Sequence, residues 1–124
     1  MILVDTSVWV EHLRHGLPRL ATHLQEGAVL IHPWEIGELA CGNLRNRSQV
    51  LELMQGLPAA TVASDAEVLL LIERDRLMGR GIGYMDAHLL ASARLSHCWL
   101  WTQDRRLAGV AEEQGLGVGQ PEQE

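Results

Sequence analysis

The chain contains no lysine, and all ten of its permanently cationic side chains are arginine. That absence removes the phosphate-gripping lysine of a nucleotide-binding P-loop, and neither that motif nor a GxGxxG turn occurs. Cysteine is almost as scarce. Cys41 and Cys98 stand alone, and in a reducing compartment two such residues read as small buried hydrophobes rather than a disulfide. No apolar run reaches the roughly 20 residues needed to span a bilayer. Met1 to Val4 carries no positive segment and is too short for a secretory signal, so a cytoplasmic protein is expected.

What is present suits one domain. At 124 residues and 47% hydrophobic composition, the chain can bury a sizeable core and is not disordered. Its net charge of −6 does not suit a generic polyanion binder. Arginine is nevertheless the better bidentate phosphate ligand, and a local cluster of it would still matter.

Apolar and turn residues predict strands alternating with helices. Ile2 to Val4 reads as a short strand, followed by a helix with Trp9, Val10 and Leu13 inward that stops at Gly16. Pro18 opens a second helix ending at Gly27, AVLIH (28–32) is a strand, and Pro33 starts a helix through Leu44. Another helix begins at Ser48 and ends at Gly56, and ATVA (60–63) reads as a third strand. Ser64 and Glu67 form a capping box before a helix to about Met78. GRGIG (79–83) is a break, and a helix rich in small residues follows from Tyr84. CWLW (98–101) is a strand, QDRRLAGVAEEQ a helix, LGV (116–118) an edge strand, and 119–124 a disordered tail after a domain of 1–118. Short, continuously apolar strands separated by helices are buried on both faces, which means a parallel sheet in an α/β sandwich.

In open parallel sheets, sites form beyond the carboxyl ends of the strands. Asp5 follows the first strand, Glu38 lies in the helix after AVLIH, Asp86 opens the helix after the glycine break, and Asp104 follows CWLW. Asp5 and Asp104 also read as helix caps, and Asp86 as a carboxylate favoured by a positive helix end. If the four converge, no lysine can relieve their repulsion, and a divalent cation such as Mg²⁺ or Mn²⁺ is the natural remedy. Such ions accept phosphate oxygens, which points to phosphodiester chemistry.

The segments MILVDTSVWVEHLR, IGELACG, MDAHLLASA and WTQDRRL resemble, in order and spacing, PIN-domain ribonucleases, and more narrowly the VapC-type toxins of toxin–antitoxin pairs. The resemblance implies a three-layer α/β sandwich with a short central parallel sheet. It matches Asp5, Glu38, Asp86 and Asp104 to the family's acidic quartet, with Asp5, Asp86 and Asp104 as metal ligands and Glu38 orienting the attacking water. Thr6 and Thr102 match supporting hydroxyls, and Glu35 competes with Glu38, because a step of three residues leaves both on nearly one helix face. The implied activity is endonucleolytic cleavage of RNA, in transfer or ribosomal RNA, with one or two Mg²⁺ or Mn²⁺ ions. A VapB-type antitoxin and a homodimer are the implied partners. Arg14, Arg45, Arg47, Arg80, Arg105 and Arg106 are candidates to grip phosphates.

Other readings compete. A haloacid-dehalogenase site needs a second aspartate where Ser7 stands, and a receiver domain needs a lysine. The histidines at 12, 15, 23, 32, 88 and 97 match no zinc spacing, and His88 reads as a packing or surface residue. Trp9, Trp34, Trp99 and Trp101 could stack on bases but are expected in the core. The remaining alternative is a PIN-like module that binds RNA or protein without cutting.

Overall fold

The computed structural model describes residues 1–118, so the tail expected at 119–124 lies outside the described residues. The first strand, β1 (Ile2–Val4), is wholly buried and takes the middle of the sheet. It pairs in parallel with β2 (Val29–Leu30) on one side and β3 (Trp99–Trp101) on the other, with Leu3 opposite Leu30 and Leu100.

The alternation of side chains along β1 divides the interior in two. Leu3, Leu30 and Leu100 face a cluster built with helices α5 (Asp65–Arg74), α6 (Tyr84–Leu95) and α7 (Arg105–Glu113). Ile2, Val4, Val29 and Trp101 face the other cluster, with α1 (Thr6–His15), α2 (Pro18–Gln25), α3 (Pro33–Ala40) and α4 (Arg47–Gly56). A helical layer on each face of a parallel sheet is the three-layer sandwich expected from the sequence.

Local chemistry sets the boundaries. Pro18 and Pro33 occupy first helical turns, where their missing N–H costs nothing. The Ser64–Glu67 capping box opens α5, with Glu67 N–H donating to Ser64 Oγ at 3.1 Å and Ser64 N–H to Glu67 Oε1 at 2.8 Å. Ala87, Ala91, Ser92 and Ala93 are buried on α6, and these small side chains let the helix lie close to the sheet. Among the described residues no helix is long and apolar enough to cross a membrane.

Several expectations are corrected. No strand forms at 60–63; a single parallel bridge joins Ile31 to Ala59. The next rung is lost because Thr61 N–H donates to Ser96 Oγ at 2.9 Å instead of a neighbouring strand. Residues 116–118 likewise contribute one bridge, Leu100 to Gly117. The helix from Pro33 ends at Ala40, and α5 ends at Arg74 because Arg76 takes a left-handed φ of 54°. Cys41 is exposed, whereas Cys98 is buried as expected, and neither forms a disulfide. Trp9 and Trp101 lie in the core, but Trp34 and Trp99 are 43% and 50% exposed.

Candidate active site

The carboxyl ends of β1 and β3 and the amino ends of α1, α6 and α7 form one rim, and each aspartate reaches it by a different local device. Asp5 occupies the N-cap position of α1 yet makes no side-chain cap bond. Its Oδ2 instead accepts from Ser7 Oγ and Thr102 Oγ1, both at 2.7 Å. Asp104 does cap: Oδ1 accepts from the N–H groups of Arg106 at 2.9 Å and Leu107 at 3.2 Å. Thr102 ties the two together, since its Oγ1 also accepts from Asp104 N–H at 3.0 Å. In the first turn of α6, Asp86 Oδ2 accepts from Gly83 N–H at 2.9 Å.

The fourth carboxylate comes from α3. Glu38 is exposed, and its Oε1 accepts from Thr6 Oγ1 at 2.9 Å. Each of these four groups therefore spends one oxygen on anchoring, while its second oxygen has no hydrogen-bond partner among the described residues. Among those residues no arginine or histidine forms an ion pair with any of them.

Glu35 is different. It is fully buried, its Oε1 accepts from His32 N–H at 3.1 Å, and its Oε2 lies 3.4 Å from the Thr6 hydroxyl. His32 Nδ1 accepts in turn from Trp34 N–H at 3.1 Å, so His32 and Glu35 act as a capping box on α3. Oε1 is thus held, while Oε2 lies at the longer distance from a hydroxyl whose one proton goes to Glu38 at 2.9 Å. Burial pushes the Glu35 pKa well up, opposed by the His32 N–H and reinforced by Asp5 and Glu38. Burial drives His32 the other way, to about 4, with His88 adding to the shift.

Asp86 shows that the rim acts as one electrostatic unit. Burial raises its pKa, the Gly83 N–H opposes this, and Asp5, Asp104 and Glu38 raise it further. The side chains do not close into a ready-made cage: among the described residues no three acidic, imidazole or thiol groups converge to hold an ion. Mg²⁺, however, commonly takes only one or two carboxylates directly and fills its shell with water and substrate phosphate. The donor set of hard, unpaired anionic oxygens fits such an ion.

The arginines divide. Arg14, Arg45, Arg105 and Arg106 are exposed. Arg47 donates to the carbonyls of Ala40 and Gly42 at the end of α3, and Arg80 grips Glu113 at 3.0 and 2.7 Å. Arg106 lies against Gly81, where an added Cβ would come within 2.6 Å of its Cδ, so the GRGIG loop is packed against α7. A cleft of about 850 Å³ opens beside the rim, with Thr102, Gln103 and Arg105 in its wall but none of the four carboxylates.

Sequence reasoning placed Asp5, Glu38, Asp86, Asp104, Thr6 and Thr102, and the structure gives all of them to the rim or its direct supports. It missed Ser7, whose hydroxyl also accepts from Gln103 N–H at 3.0 Å and so links the β3–α7 connection to Asp5. The signal was the hydroxyl pair in DTS. His88, read as a packing or surface residue, is buried and so takes the packing role.

A family model described as the PIN domain matches residues 2–113. Two relatives from Mycobacterium tuberculosis, strains CDC 1551 / Oshkosh and ATCC 25618 / H37Rv, each bear the name Ribonuclease VapC32. Each is 45% identical over 121 residues, covering 97% of this chain and 98% of the relative.

Proposed function

Because this chain belongs to the PIN-domain family, as a VapC-type endoribonuclease toxin of a toxin–antitoxin system, we propose that it hydrolyses RNA at the rim formed by Asp5, Glu38, Asp86 and Asp104. One observation carries this placement: four carboxylates on one rim, each anchored through one oxygen, with the other oxygen unpartnered and no cation paired with any of them among the described residues. The same pattern separates Glu38 from Glu35, which is fully buried and commits Oε1 to the His32 N–H at the start of α3.

Asp5, Asp86 and Asp104 would hold one or two Mg²⁺ or Mn²⁺ ions. Such an ion supplies charge neutralisation at the phosphate and a more acidic water. The chain does the rest. Thr102 and Ser7 fix the Asp5 carboxylate, and Thr102 also fixes the turn that presents Asp104. Glu38, steadied by Thr6, accepts a hydrogen bond from the attacking water and orients it in line with the leaving oxygen. Exposed Arg105 and Arg106, beside Asp104 at the start of α7, meet the flanking phosphates.

The substrate in this reading is transfer or ribosomal RNA, met in the cytoplasm, and a VapB-type antitoxin holds the toxin silent. The unpartnered Leu69, Leu70 and Leu95 on α5 and α6, all more than 40% exposed, suit a homodimer. The experiment is cleavage of total cellular RNA by wild type and Asp86→Asn, with Mn²⁺ and with EDTA. Discrete fragments that need the metal and vanish in the variant are expected. Activity indifferent to both would overturn the assignment of this rim.

A further inference from the structure

Beside the acids stands a group of aromatic rings that hydrolysis itself does not use. Trp34 precedes Glu35 on α3, and Tyr84 opens α6 just ahead of Asp86; they are 43% and 42% exposed. Buried His88 lies between them, its ring centroid 4.4 Å from Trp34 at 42° and 4.7 Å from Tyr84 at 88°.

These rings are held. Tyr84 Oη donates to Asp65 Oδ1 at 2.8 Å, and His88 Nε2 lies 3.2 Å from the same oxygen. The His32 ring meets Trp34 edge-on at 5.7 Å. An exposed indole fixed from behind has already lost the freedom that a ligand would otherwise have to remove. Its place matters too. Trp34 and Glu38 are one helical turn apart on α3, which puts their Cβ atoms about 5–6 Å apart on one face. The ring therefore borders the carboxylate proposed to orient water, on the side where α3 meets α6.

We propose that Trp34, with the Tyr84 ring across His88 from it, is a stacking platform for an unpaired RNA base next to the phosphate being cut. A nucleobase is flat and uncharged, so it can enter beside carboxylates while its phosphate faces the acids. Bases presented this way must be splayed out of a helix, so the platform selects loops and single strands over duplex. The inference rests on the RNA-cutting reading and names how that site chooses its substrate.

Two assays separate the two ideas. Binding is followed by fluorescence anisotropy on the Asp86→Asn background, where nothing is cut, with a labelled single-stranded RNA 12-mer and the same strand in a duplex. Trp34→Ala is expected to weaken single-strand binding roughly 5- to 150-fold and to leave duplex binding unchanged, with Trp34→Phe recovering most of the loss. In otherwise wild-type protein, Trp34→Ala should raise KM and leave kcat nearly as it was. Equal losses on strand and duplex, or no loss on either, would overturn the platform. So would a Trp34→Ala protein that binds RNA normally but loses its antitoxin, because the rings would then be a protein contact. A wild type that binds single strands through Trp34 yet cuts no RNA with Mn²⁺ supports the platform and overturns the nuclease site alone.

Discussion

The two ends of α6 and α7 treat acidic residues in opposite ways. At their amino ends Asp86 and Asp104 stand with Asp5, held by hydroxyls and backbone N–H groups and, among the described residues, by no cation. Near their carboxyl ends Asp75 accepts from Arg94 at 2.9 Å and from Gln114 at 3.1 Å, with the Arg74 guanidinium 3.2 Å away. The helix dipole explains part of the contrast, since amino ends favour negative charge and carboxyl ends oppose it. The dipole is worth only about 0.3–1 kcal/mol at exposed ends, too little to offset four crowded carboxylates. The chain has arginines to neutralise acid and uses them at the far end. Charge left unpaired among the described residues of the rim is what the proposed ion and RNA phosphate would meet.

The largest expected effect breaks the rim by removing charge without removing structure. Asp104→Asn keeps a good N-cap side chain and should lower RNA cleavage by roughly 10²–10³-fold, as removing one preorganised electrostatic group does. Its melting temperature should barely move, and a scan showing collapse would mean that the carboxylate is only a cap. Asp104→Ala would add about 1 kcal/mol of destabilisation from the lost cap, a difference that chemical denaturation can read.

Supplying the missing positive charge should stabilise the rim and nothing else. Mn²⁺ at about 100 times its Kd is expected to add about 2.7 kcal/mol, seen as a higher melting temperature in wild type and much less in Asp5→Asn/Asp86→Asn. Equal shifts in both proteins would place the ion elsewhere.

Glu35 gives a smaller, pH-dependent effect. Its folded pKa is raised from 4.5, so its contribution is complete below that value and is lost as pH rises toward the folded pKa. Folding stability measured in EDTA should therefore carry a falling component above pH 4.5 that Glu35→Gln removes, and the variant should be the more stable protein at neutral pH. His32 contributes oppositely: lowered from 6.5 to about 4, it adds stability above pH 6.5 that is lost as pH falls toward 4. If Glu35→Gln keeps the same slope above pH 6.5 as wild type, the buried glutamate is not its source.

The smallest effect belongs to the paired end. Arg94→Ala should cost under about 1 kcal/mol, because Asp75 keeps other partners and the site is partly exposed. Cleavage should not change. A large loss of activity there would erase the contrast between the two helix ends.

Much of this was legible in residues 1–118. Short apolar runs marked the strands, and Asp5 and Asp104 soon after β1 and β3 marked their place on the rim, because both patterns are local. ATVA (60–63) misled because a strand also needs partners for its backbone, and Thr61 finds a serine side chain instead. Trp34 and Trp99 misled because hydrophobicity says nothing of which face a ring occupies. The Glu35–Glu38 ambiguity was nearly resolvable: Pro33 at the first helical position makes His32 the N-cap and Glu35 its reciprocal partner three residues on. What no local pattern could supply is the Asp5–Thr102 bond across 97 residues of chain.

That bond sets a clock. The central strand is made well before its neighbour β3, and the hydroxyl that fixes Asp5 follows that residue by 97 positions. At about 5–20 residues per second, a ribosome spends roughly 5–20 s between the two residues, and throughout that interval the acids have nothing to assemble on. A nascent chain, or one abandoned before β3, carries Asp5 and Glu38 without Asp104. The acidic rim thus cannot close around Asp5 until β3 and Thr102 have been made, an order of events set by strand order alone.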